Sequence, residues 1–378
     1  MSRDADYRKT VFVLGAGFSV EAGGPPQSRL LELLLNLDCL HDEKTRVVSF
    51  LKDTMGLSGE NLAKASLEDI YTPIDRCLAD RVSFRGKTQT ELESLRADID
   101  ILLSMTIKRA FEGSDKDGAY VEKLAKYLVD QASVRGTLAH GELNADKAKK
   151  HDPVSVISLN WDILLDNSLD SALMMHDVNS DIGEFTDYAP FGVVDYCCYV
   201  SSLNRGDRRI RSGLWSLGAK GYNVKLLKIH GSLNWLQCTN CQRLFTSFGS
   251  KLLNEIGQSC RHCSAHEMGG FLKATLVMPT FLKDFSNFQL KLVWQNTAVE
   301  LMEASKLVFI GYSLPESDFE FRQLLSRMIH RSAEIDVVLW GGAEAYQQEK
   351  ERYDQFFAGH PIEHFSEGAA AYVSDNVP

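Results

Sequence analysis

The sequence predicts an α/β protein interrupted by a helical insertion, and three observations carry that prediction. Short apolar runs rich in β-branched residues recur along the 378 residues, several of them stopped by glycine or a polar cluster. Between the first run and the second, helical periodicity replaces strand signals over residues 37–150. Late in the chain, four cysteines stand at C-x2-C-x18-C-x2-C spacing.

The first element is read from KTVFVLGAGFSVEAGG, Lys9 to Gly24. Val11 to Leu14 are all apolar, two of them β-branched, and Gly15 ends the run, as suits a strand buried on both faces. Gly15-Ala16-Gly17 then lets the backbone bend tightly into a helix. With no side chain in the way, its N–H groups can approach a phosphate, although many such turns need glycine for steric reasons alone. Val20 stands where G-x-G-x-x-G has its third glycine, so an ordinary nicotinamide dehydrogenase is not the first reading. After Pro25-Pro26, Ser28 is expected to cap RLLELLLNL, whose leucines recur at helical spacing.

Further along, Ser66 with Asp69 reads as a capping pair, and Thr90 to Phe111 and AYVEKLAKYLVDQA carry apolar stripes that suit core packing rather than a cofactor. Strands resume at Pro153 to Asn160, Val224 to Gly231, ATLVMPT, Lys306 to Ser313 and Ile335 to Gly342. Ligands of open parallel sheets sit outside the carboxyl ends of the strands, so the endings GAGFS, NWD, HG and GYS are where chemistry is expected. The tail after Gly368 reads as loosely ordered.

Composition narrows the classes. An apolar fraction of 44% and a charged fraction of 24% are those of a globular protein, and no apolar run is long enough to span a bilayer. A net charge of −10 argues against a protein that holds nucleic acid by its phosphates; the basic run RGDRRIR, Arg205 to Arg211, reads as a solvated loop. The opening MSRDADYRK lacks the apolar segment of a secretory signal, so a cytoplasmic protein is expected. Cys39, Cys77, Cys197 and Cys198 have no metal-type spacing and read as reduced thiols.

Cys238, Cys241, Cys260 and Cys263 differ: their spacing lets two knuckles deliver four thiolates to one tetrahedral zinc. A redox pair or coincidence is the alternative. Four protein ligands leave no open position, so a zinc here is structural.

Taken together, GAGFS, NWD, HG followed after six residues by C-x2-C, a second C-x2-C and then GYS resemble the sirtuin superfamily. LNWD at Leu159 to Asp162, KIHGSLNW at Lys228 to Trp235 and GYSLPESDFEF at Gly311 to Phe321 look more narrowly like bacterial sirtuin-like proteins of antiphage defence. The resemblance implies a Rossmann-like domain over 1–36, 151–235 and 270–378 that binds NAD, a helical insertion over 37–150 and a zinc-binding module over 236–269. Carried over by motif, Gly15, Ala16, Gly17 and Ser19 would line the pyrophosphate and ribose, with Gly311 and Ser313 on the adenosine side. Asp162 would meet the nicotinamide carboxamide, Asn160 the nicotinamide ribose or its attacking water, and His230 would be the base.

Those roles make chemical sense. Cleaving the nicotinamide–ribose bond passes through an oxocarbenium-like centre, which needs a placed nucleophile and a proton acceptor. An amide can place water, and histidine is the side chain suited to proton transfer near neutrality, although a lone His before Gly also serves as a turn or capping residue. Deacylating sirtuins follow their glycine turn with G-I-P-D-F-R; the corresponding stretch here is Gly24-Pro25-Pro26-Gln27-Ser28. Loss of that cover favours water, hence NAD hydrolysis to nicotinamide and ADP-ribose, over acyl transfer. An NAD-dependent protein deacylase and a non-catalytic NAD or ADP-ribose sensor are the alternatives. The resemblance further implies depletion of NAD in antiphage defence, a homo-oligomer, and a HerA-type hexameric ATPase as partner, with no membrane and no direct nucleic-acid contact.

Overall fold

Strands of the described residues run in chain order as β1 (Thr10–Leu14), β2 (Val154–Ser158), β3 (Gly192–Asp195), β4 (Val200–Ser202), β5 (Tyr222–Lys228), β6 (Gly231–Cys238) and β7 (Leu244–Thr246). β8 (Leu272–Leu276), β9 (Lys306–Ile310), β10 (Glu334–Val338) and β11 (Ile362–Phe365) complete them. This computed structural model describes residues 8–139, 153–179, 192–203, 209–211, 221–248, 255–277 and 287–378. Outside them lie 140–150 of the expected helical span, 205–208 of RGDRRIR, 249–254 of the expected zinc module and 278–280 of ATLVMPT.

Seven strands form one sheet, ordered β11-β10-β9-β1-β2-β5-β3, and every neighbouring pair is parallel. β1 is central because it has no polar face to show: Val11 to Leu14 are all buried. Thr10 lies opposite Val154 on one side and Lys306 on the other. The chain leaves β1 for neighbours on opposite sides, and at such a switch the connections diverge and open a crevice at the carboxyl ends.

Helices between β1 and β2 divide between two cores. Those of α1 (Leu30–Leu35), α2 (His41–Ser49), α3 (Leu67–Asp80) and α4 (Gln89–Glu112) bury Leu34, Val47, Ile70, Tyr71, Leu92 and Leu103 in a cluster of their own, which Trp161 and Leu276 join. By contrast, α5 (Ala119–Ala139) lays Val121, Leu124 and Leu128 on the sheet beside Phe12 and Val156. Ser66 and Asp69 form a reciprocal capping box at α3. Ser28 does not cap: a 3-10 turn at Gln27–Arg29 follows the prolines, with Arg29 N–H on Pro26 O at 3.0 Å, and α1 begins only at Leu30.

A second, four-stranded sheet has the order β4-β7-β6-β8. Only Ile229 and His230 separate β5 of the large sheet from β6 of the small one. Gly231 makes the corner at φ +73°, and a Cβ there would come within 2.2 Å of Thr275 O.

The tail is ordered, contrary to the sequence expectation. Residues Gly368–Asn376 form a helix because the Glu21 carboxylate accepts the N–H groups of Ala369 at 2.6 Å and Ala370 at 3.0 Å. Tyr372 and Val373 are buried, and the Tyr372 hydroxyl donates to Asp336 at 2.5 Å. No helix among the described residues is long and apolar enough to cross a membrane.

Candidate functional site

At the carboxyl ends of β1, β2, β5, β9 and β10 lies a cleft of about 740 Å³, within the size range of small-molecule sites. Gly15, Ala16, Gly17, Ser19, Asn160, Asp162, His230, Gly311 and Ser313 all line it, so segments nearly three hundred residues apart meet there. The helical layer supplies the facing wall through Leu31, Ser66, Glu68 and Phe111.

The glycines are used first for packing. Gly15 N–H donates to Ile310 O at 3.0 Å and Gly17 N–H to Gly311 O at 2.9 Å, so the turns after β1 and β9 interlock backbone to backbone. A Cβ on Gly15 would lie 2.5 Å from Gly311 O, and one on Gly311, at φ +63°, would lie 2.2 Å from Phe18 N. Phe18 N–H is engaged with Gly15 O at 2.9 Å, whereas the Ala16 amide takes part in none of these bonds.

Polar side chains of this wall knit together. Asn160, two residues past β2, donates its Nδ2 hydrogens to Gly15 O at 2.8 Å and Ser19 Oγ at 3.1 Å; among the described residues no donor reaches its Oδ1. Ser19 donates to Asp162 Oδ2 at 2.7 Å, and Asp162 Oδ1 accepts the Leu164 N–H at 3.1 Å, starting the helix Leu164–Asn179. Lys228, buried, fixes the same loop from behind: Nζ donates to Asp162 O at 2.5 Å and stands 3.2 Å from Asp166 Oδ2.

His230 is 3% exposed, held where the two sheets join. Its Nδ1 faces Leu159 O at 3.2 Å, and since a carbonyl only accepts, Nδ1 carries the hydrogen. Whenever the ring is neutral, Nε2 is then its lone-pair nitrogen. It is buried and has no hydrogen-bond partner among the described residues; Asp318 Oδ1 lies 3.3 Å away.

Three residues of this region were not singled out from the sequence. Asp318 sits inside the quoted GYSLPESDFEF, and Lys228 opens KIHGSLNW, but nothing in spacing told them from neighbouring charges. Trp340, just past β10, lines the cleft while 63% exposed, an aromatic face left open on a polar rim. Carboxylates prevail on the walls, with Glu68, Asp162, Asp318 and Glu349 against Lys64.

In the small sheet, Cys238, Cys241, Cys260 and Cys263 bring their sulfurs within 4.8 Å of one another. Cys238 and Cys263 are 3.6 Å apart, Cys241 and Cys260 3.9 Å, close to the roughly 3.8 Å between thiolates on tetrahedral zinc. Burial pushes the Cys238 thiol up, but the N–H groups of Cys241 and Asn240 outweigh it and hold the thiol at about 7. Gly270 closes the knuckle: a Cβ there would lie 2.9 Å from Cys238 Sγ and 3.3 Å from Cys263 Sγ. The four thiols can hold a metal ion such as zinc.

No protein-family model matches the chain, and no curated protein does.

Proposed function

We propose that the cleft binds NAD and hydrolyses its nicotinamide–ribosyl bond, releasing nicotinamide and ADP-ribose. One observation carries the reading: a buried ring nitrogen of His230, a residue of the cleft wall, has no hydrogen-bond partner among the described residues, while the ring's other nitrogen faces Leu159 O. Buried polar atoms are rarely left unmatched, and an acceptor in such a place suits a substrate O–H.

In this mechanism the C1′–N bond breaks and nicotinamide leaves as a neutral molecule. Water, placed by Asn160 Oδ1, forms the new C1′–O bond and passes its proton to His230 Nε2, from which it returns to solvent. The carboxylate-rich walls favour the positive charge that develops on the ribose. The Ala16 amide would donate to the pyrophosphate, with Ser19 beside it on the wall, and Ser313 and Trp340 flank the adenosine end. The resemblance of GAGFS, LNWD, KIHGSLNW and GYSL to sirtuin-like defence proteins supports the same assignment, together with NAD depletion during phage infection, self-assembly and a HerA-type ATPase partner. A zinc on the four cysteines would staple the small sheet and take no part in the reaction.

Incubating the protein with NAD alone and measuring nicotinamide tests this. Release that His230→Ala or Asn160→Ala abolishes is expected. Release only with an acyl-lysine peptide would identify a deacylase, and binding without product a sensor. Co-purification with the ATPase, and size measured in solution, test the assembly.

A further inference from the structure

Asp318 occupies the N-cap of the helix Phe319–Met328, where an aspartate ordinarily accepts the first free N–H groups. It makes no such bond. Its carboxylate turns inward instead: Oδ2 accepts the Tyr312 hydroxyl hydrogen at 2.9 Å, and Oδ1 stands 3.3 Å from His230 Nε2. Tyr312, Asp318 and His230 are 5%, 1% and 3% exposed. A carboxylate this deep is costly to bury, and one turned from its helix toward an imidazole needs a reason.

We infer that Asp318 is a positioning residue of the cleft, oriented by Tyr312 to stabilise the positive charge that His230 acquires when it takes a proton. Resting on the hydrolase reading, this gives that site its charge partner. Taking the proton requires a neutral ring with Nε2 as its lone-pair nitrogen, and Asp318 Oδ1 stands 3.3 Å from that nitrogen. When the water's O–H bond breaks, its proton binds Nε2, and the imidazolium then faces a carboxylate at contact distance. No proton passes to Asp318. Asp162, the other carboxylate of the strand-end loops, has both oxygens bound to Ser19 and the Leu164 N–H. Tyr312 stays protonated, held so by burial first and by Asp318 next, and remains a donor throughout.

The test is Asp318→Asn in the full chain, read two ways. We expect kcat for NAD hydrolysis to fall about ten- to hundredfold, with KM changed less than about twofold. At a fixed pH chosen so that the wild-type His230 ring is partly doubly protonated, its 15N signals should move toward the singly protonated form in Asp318→Asn, and Asp318→Glu should recover part of both. Unchanged ring signals in a folded Asp318→Asn variant would overturn the inference, whatever the activity. If wild type does not cleave NAD, the ring signals decide alone: a shift upholds the pair while the hydrolase reading falls. Should Asp318→Asn not fold, Tyr312→Phe, which frees the carboxylate to turn away, is expected to move the ring signals in the same direction, and no movement overturns the inference.

Discussion

The cleft and the cysteine knuckle solve the assembly of a site in opposite ways. The four thiols come from a stretch of under thirty residues and meet across one small sheet, whereas the cleft draws its walls from residue 15 to residue 349. In the knuckle the ligand atoms lie side by side, sulfur against sulfur. Among the described residues that line the cleft, His230 Nε2 is the one buried side-chain atom without a hydrogen-bond partner. The knuckle's stability therefore depends on what it binds, while the cleft is already built.

The sharpest way to break this contrast is to take the metal away. Zinc should be found at one per chain, and chelation or Cys260→Ser should loosen the small sheet by on the order of 5 kcal/mol, read as faster hydrogen exchange at 236–245. Acidification acts in the same direction, since protons compete for the thiolates and metal is lost as pH falls. Burial, then the neighbouring thiols, pushes Cys263 up to about 12 without a cation, so its ionisation depends on one. A metal-free protein with unchanged exchange would erase the contrast.

In the cleft, His230→Ala should lower NAD hydrolysis by about a hundred- to ten-thousandfold and leave the melting temperature nearly unchanged. Gly311→Ala is the reverse case. A Cβ that must sit 2.2 Å from Phe18 N at φ +63° should cost about 3 kcal/mol or more, measured by denaturant unfolding. Trp340→Ala should raise KM for NAD about tenfold with kcat little changed, if the indole stacks on adenine. Smallest, Glu21→Gln should cost about 1 kcal/mol by weakening the start of the last helix, seen as a drop of a few degrees in melting temperature.

What was legible in the sequence follows the same division. Spacing alone brought Cys238, Cys241, Cys260 and Cys263 together, because local connectivity determines where such ligands fall. Buried parallel strands were legible too, since Val11 to Leu14 have no polar face and end in glycine. The purpose of that glycine was not: a phosphate cradle and a close approach to Gly311 leave the same residues in the sequence. Asp318 escaped for a related reason, since an acid before a helix looks like a cap, and only coordinates reveal that it has turned toward His230. The tail misled because Ala369, Ala370 and Val373 carry a weak periodicity, and their order comes from Glu21, some 348 residues earlier.

The two-residue turn of Ile229 and His230, between Lys228 of β5 and Gly231 of β6, leaves the imidazole no slack. Tethered to two sheets at once, the ring has no loop on which to swing toward a guest. Any molecule processed in this crevice must be delivered to a stationary nitrogen, so the accuracy of its delivery, more than the reach of the histidine, sets which molecules are accepted.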